Sequence, residues 1–133
     1  MFFSCSTLKT IHNTMIFVDS KNNLIQGTSL SEDFSKIYAG KSLGGVYLFF
    51  FRHGKCCYIS AIDKDGKVDL SDHMPVLFET CANRDDSTSI YCDGMYLSAR
   101  DNGTFTFVPH NKLWERLNFE DTFVEMPPPR PLE

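Results

Sequence analysis

At 133 residues the chain has room for one domain and little beyond it. Apolar residues make up 42% and aromatics 14%, ample for a packed core, while no run approaches the length of a membrane span. The opening Met1-Phe2-Phe3-Ser4-Cys5 lacks the basic and sustained apolar regions of a secretory signal, and a net charge of −4 argues against a general nucleic-acid binder.

Taken in order, Phe2 to Lys9 reads as a first strand and His12-Asn13 as a turn. Met15 to Val18 opens a second strand, Ser20 to Asn23 is polar turn material, and Leu24-Ile25 begins the return. Phe34 to Tyr38 follows as an aromatic-led strand. The middle third repeats the layout: Lys41 to Gly45 is a glycine-containing link, Val46 to Phe51 a strand of buried character, and His53-Gly54 a turn. Cys57 to Ile62 then leads through Asp63-Lys64-Asp65-Gly66 to Lys67–Leu70, with Val76 to Thr80 closing the unit. The last third runs from Thr88 to Cys92, turns at Asp93-Gly94, and continues into Met95 to Asp121. There Asn102-Gly103 between apolar runs is the strongest short-range hairpin signal in the chain.

These thirds read as one unit used three times. Tyr58-Ile59-Ser60-Ala61 matches Tyr96-Leu97-Ser98-Ala99 in type at every position, and Asp65-Gly66 takes the place of Asn102-Gly103. Ile16, Tyr58 and Tyr96 fall at matching places about forty residues apart, as do Phe34, Phe78 (or Leu77) and Trp114, a period that marks one supersecondary unit unable to bury its face alone. Four short strands in each of three units predict an all-β chain of about twelve strands and almost no helix. Specifically, they predict a β-trefoil: a six-stranded barrel capped by three hairpins with pseudo-threefold symmetry. On this reading residues 1–125 form the single domain, and Trp114 and Phe119 close the repeat from the barrel core. The first unit, whose turn has no glycine, is the least regular. Residues 126–133, with Met126-Pro127-Pro128-Pro129-Arg130-Pro131, form an extended proline-rich tail.

Little in the sequence converges on catalysis, so the expectation is a binding domain that is not an enzyme and uses no cofactor or metal. His12, His53, His73 and His110 all fall in turns or loops, where solvated side chains are the rule. Five cysteines, an odd number, cannot all pair; adjacent Cys56 and Cys57 point to opposite faces of a strand, and free, partly buried thiols suit folding in a reducing cytosol. Asp63-Lys64-Asp65-Gly66 looks like the start of a calcium loop but lacks the distal glutamate, and turn chemistry explains it better.

Several short segments resemble the interleukin-1 family of cytokines: Leu8 to Asn13 with Met15 to Asp19, Asn22 to Gly27, Gly54 to Ser60, and Ser89 with Cys92 to Ala99, ending near Asn118-Phe119-Glu120-Asp121. That resemblance implies a monomeric extracellular ligand, made in the cytoplasm and exported without a signal peptide, whose partner is the immunoglobulin-like ectodomain of a protein receptor. Lys9 and Asp19 fall where the match places receptor-facing charges, and Arg52, His53, Arg84 and Arg100 are further loop candidates. Tyr96 to Ala99 with Gly103 and Trp114 to Leu117 is also similar to the repeat of fascin-like trefoils, which implies an actin-binding module as an alternative. A carbohydrate-binding trefoil is the other; the loops Lys21-Asn22, Lys64-Asp65 and Asp101-Asn102 share no aromatic to serve it.

Overall fold

The computed structural model describes residues 2–29, 33–71 and 75–125. Its strands are β1 (Phe2–Thr10), β2 (Met15–Val18), β3 (Leu24–Gly27), β4 (Ser35–Lys36), β5 (Tyr38–Ser42), β6 (Gly45–Arg52) and β7 (Lys55–Ile62). There follow β8 (Val68–Ser71), β9 (Glu79–Ala82), β10 (Thr88–Cys92), β11 (Met95–Ala99), β12 (Phe105–Val108) and β13 (Leu117–Glu125), with one 3-10 turn at Leu113–Glu115. The chain is all-β, as its repeated short strands predict. Residues 126–133, and with them the proline-rich tail, lie outside the described residues, as does His73.

The pairings trace a closed ring. β1 pairs with β5, β5 with β6, β9 with β10, β10 with β13, and β13 returns to β1 from Phe2↔Glu125 to Thr10↔Leu117. The remaining seam, between β6 and the residue just before β9, is the single bridge Val46↔Phe78. Three further hairpins, β2–β3, β7–β8 and β11–β12, project from the ring. Closure leaves the six ring strands without the long open edge that invites aggregation.

The three projecting hairpins end in one turn geometry. The amide of Asn22 donates to the carbonyl of Asp19, that of Gly66 to Asp63 and that of Gly103 to Arg100, at 3.1, 3.1 and 3.2 Å. The residue at the turn's end has positive φ each time: 65° at Asn22, 82° at Gly66 and 88° at Gly103. This is a type I turn followed by a left-handed residue, the usual three-residue hairpin. Asn102-Gly103 is therefore a hairpin as expected, but only its glycine is left-handed. The missing glycine of the first unit is supplied by asparagine, the non-glycine residue best suited to that region. The two-residue turns with both φ values positive lie instead at His53-Gly54 and Asp93-Gly94. The hairpin tips also lock to one another: Leu24 donates to Gly66, Val68 to Asn22, and Gln26 to Gly103, at 2.8–2.9 Å.

Inside the ring and under the hairpins lies one core, to which the units contribute in parallel. Leu8, Phe50 and Ile90 each stand two residues before the end of the first strand of their unit, and all are essentially inaccessible. Ile16, Ile59 and Leu97 match one another, as do Leu24, Val68 and Phe105. The hairpin registers correct one detail of the repeat. Tyr58 and Tyr96 are matched by Met15, not Ile16, as their partners Ser71, Val108 and Gly27 show. A β-bulge between Ile59 and Ala61 puts an extra residue, Ser60, into the second unit, so Ser60 and Ser98 are not equivalent despite the four-residue match. A second cluster, Cys5, Phe49 and Val124 with Tyr38, Tyr47, Phe51 and Tyr58, covers the other face of β6, which explains its unbroken apolar run.

The last unit departs from expectation where it closes. Leu113–Glu115 is a 3-10 turn, and the strand begins only at Leu117. Trp114 is not barrel core: it is 39% exposed, whereas Leu117 fills the core and Phe119 packs partly buried against it.

Candidate functional site

Three clefts open around the ring, each where the segment after one projecting hairpin meets the ring-strand turn of the next unit. The first holds Phe34, Lys36 and Tyr38 against Phe51, Arg52 and His53. The second holds Val76, Leu77 and Glu79 against Tyr91, Asp93 and Gly94. The third holds Arg100, His110, Lys112, Leu113 and Trp114, with the β1–β2 turn brought against it by His12. Each displays a large apolar side chain: Phe34, Leu77 and Trp114 are 37%, 45% and 39% exposed.

The third cleft, of ≈ 540 Å³, has the most constructed wall. Glu115 is buried at 1% exposure, yet both its oxygens are satisfied. Oε2 accepts the Ser98 hydroxyl at 2.6 Å, while Oε1 accepts the Lys112 amide at 2.7 Å and faces His110 Nδ1 at 3.1 Å. By reaching back three residues to an orphan amide, Glu115 caps the 3-10 turn as the glutamate of a capping box does. That turn fixes Trp114, whose ring also meets His12 edge-on at 5.5 Å; His12 Nε2 is in turn 2.8 Å from the Ala99 carbonyl. The result is an indole held half in solvent beside exposed Arg100, His110 and Lys112. A second polar network behind it, Asn83, Ser89 and Asn111 at 2.7–2.9 Å, ties the β9–β10 turn to the same segment.

The six residues singled out in the sequence are not brought together. Asp19, Arg52 and His53 lie near the first cleft, but Asp19 and Arg52 serve the fold. Arg52 donates to Asn22 Oδ1 and to the Asp19 carbonyl, both at 2.8 Å, and lies over the Phe50 ring. Arg100 lines the third cleft. Lys9 is half-buried in β1 across from Asn118 and Met15, and Arg84 stands exposed in the β9–β10 turn, apart from all three clefts. Sequence reasoning missed Trp114, Glu115, His110 and Lys112 as a group. One signal was present: in Trp114-Glu115-Arg116-Leu117 the glutamate shares parity with a core leucine, and an inward carboxylate demands partners.

Asp19 shows how these turns are held. Burial raises its pKa, but hydrogen bonds from the amides of Asn23 and Lys21, both 2.9 Å, and from the Asn23 side chain leave the carboxyl below its ordinary value. Asp63 accepts the same pair of amides, from Asp65 and Lys67, which accounts for its calcium-loop look. A group whose folded pKa is depressed contributes stability at neutral pH that is lost as the pH falls through that depressed value. Asp19→Ala is thus expected to cost about 1–2 kcal/mol at pH 7, with a smaller cost near pH 3. Denaturant titrations of both proteins at the two pH values check this; a cost that does not shrink in acid would contradict it.

Among the thiols, all five are free. Burial pushes Cys5 and Cys56 up, and burial with the Asp93 and Glu79 charges pushes Cys92 up to about 11. Those three are protonated at neutral pH and are poor nucleophiles.

No protein-family model and no curated protein matches this sequence. Among solved structures, the chain is similar to SeviL bound to asialo-GM1 saccharide, with a TM-score of 0.57 at 13% sequence identity. The likeness covers 90% of this chain and 97% of that one, so the two share a fold over nearly their whole lengths.

Proposed function

We propose that this chain is a β-trefoil saccharide-binding module, non-catalytic, with its principal site in the third cleft. The closed six-strand ring and the three hairpins with a common turn support the trefoil, and the likeness to a saccharide-bound structure supports the ligand class. The observation that carries the site is Trp114. A rigid indole presented to solvent offers the flat apolar face on which a sugar ring's C–H groups pack, while Arg100, His110 and Lys112 supply donors for its hydroxyls. The aromatic that the hairpin loops lack is provided by the segment after the hairpin.

A glycan array followed by titration calorimetry tests this. Trp114→Ala is expected to weaken binding about 30-fold or more, the usual effect of removing a central aromatic anchor. An array without hits would remove the reading, and undiminished binding by the variant would move the site elsewhere. The interleukin-1-class ligand reading is carried by its short sequence matches; binding to an immunoglobulin-like receptor ectodomain without any glycan binding would put it first.

A further inference from the structure

We propose that the third cleft selects saccharides bearing a carboxylate or sulfate over their neutral counterparts, a refinement that rests on the sugar-binding reading above. The charged side chains that a ligand would meet there are Arg100 and Lys112, both exposed, with the His110 ring beside them. The one acid in the lining, Glu115, is buried, with Oε2 taken by the Ser98 hydroxyl and Oε1 by the Lys112 amide and His110, so it presents no acceptor surface to a ligand. This cationic rim belongs to a chain with 13 Lys and Arg against 17 Asp and Glu, so it does not follow from composition. The second cleft shows the contrast: among its described lining residues the charged groups are Glu79 and Asp93.

The repeat itself marks Arg100 as a departure. At the first position of the hairpin turn the other two units carry aspartates, Asp19 and Asp63, whose carboxylates accept the turn amides. The third unit puts arginine there. The capping duty passes to Asn102, whose side-chain oxygen accepts the Thr104 amide at 3.1 Å and its hydroxyl at 2.6 Å. A turn that gives up its carboxylate for a guanidinium beside an exposed indole gains a forked donor suited to the paired oxygens of a carboxylate or a sulfate. The saccharide on SeviL is an asialo form, so an acid preference would separate this chain from that structure.

The experiment uses glycan pairs that differ only by a sialic acid or only by a sulfate ester, titrated calorimetrically against the full chain at low and raised salt. The acidic member is expected to bind about tenfold tighter, the effect of one added charge-assisted contact, and the ratio is expected to fall as salt screens it. A preference confined to the sialylated or to the sulfated pair supports the proposal and identifies the anion. In a variant combining Arg100→Gln and Lys112→Gln, with an unchanged melting midpoint, the acid-to-neutral ratio is expected to approach one; an undiminished ratio would overturn the assignment to this cleft. Equal affinity for both members of every pair would overturn the acid preference and leave the sugar-binding reading standing. No binding by any member would overturn both.

Discussion

Glu115→Ala is expected to destabilise the protein by about 3–4 kcal/mol and to abolish the saccharide binding proposed for the third cleft. The substitution strands a buried Ser98 hydroxyl and the Lys112 amide, and it opens a cavity under the 3-10 turn that carries Trp114. The conservative change separates polarity from shape. In Glu115→Gln the amide oxygen can face Lys112 while the NH2 donates to Ser98 Oγ, whose hydroxyl rotates to suit, so a loss of only about 1 kcal/mol is expected. Denaturant melts give the stabilities. Trp114 is the sole tryptophan, so its fluorescence reports the turn directly. A cost for the alanine variant no larger than for the glutamine would mean that the carboxylate's partners do not hold the turn.

Gly45→Ala is expected to cost about 3 kcal/mol or more, although Gly45 lies far from the Trp114 turn in sequence. A Cβ there would stand 2.2 Å from the Phe78 carbonyl oxygen and 3.0 Å from its carbon, both backbone atoms that have no rotamer to retreat into. The collision falls on a seam of the ring that is a single bridge, held by Val46 N to Phe78 O at 2.9 Å and Phe78 N to Val46 O at 2.7 Å. Gly44→Ala is the matched control: it meets open space and bears only the strain of a positive φ, about 1 kcal/mol. Faster amide exchange at Val46 and Phe78 in the Gly45 variant alone would locate the damage. Equal costs at the two glycines would show that the seam yields.

The local grammar of this chain was legible because it is written within a few residues. Asp93-Gly94, His53-Gly54 and Asn102-Gly103 mark hairpins by the backbone freedom they supply, and Val46–Phe51 declares a strand covered on both faces. What was not legible depends on distant partners. The bulge at Ser60 made Tyr58–Ala61 and Tyr96–Ala99 look interchangeable, when only Ser98 meets a buried carboxylate. The receptor-type candidates were chosen by family match and as loop residues, and Asp19 proves to be fastened to its own turn and Arg52 to that same turn from the end of β6, uses that only the folded chain reveals. Trp114 was assigned to the core because it stands at the position that closes the repeat. The segment enters three residues later, after Glu115 has turned the indole outward.

The pairing of β1 with β13 has a temporal meaning. Ser6 and Thr7 hydrogen-bond to Asp121 and Glu120 across 115 and 113 positions, so β1, which meets β5 on one edge early, keeps its other edge open until β13 is made. Until then Leu8 and the exposed Phe2 and Phe3 belong to an open sheet. Folding of such a high-contact-order ring is slow and gated by the arrival of β13. Its hairpins can form one by one, but the ring acquires its stability all at once, when β13 joins β1.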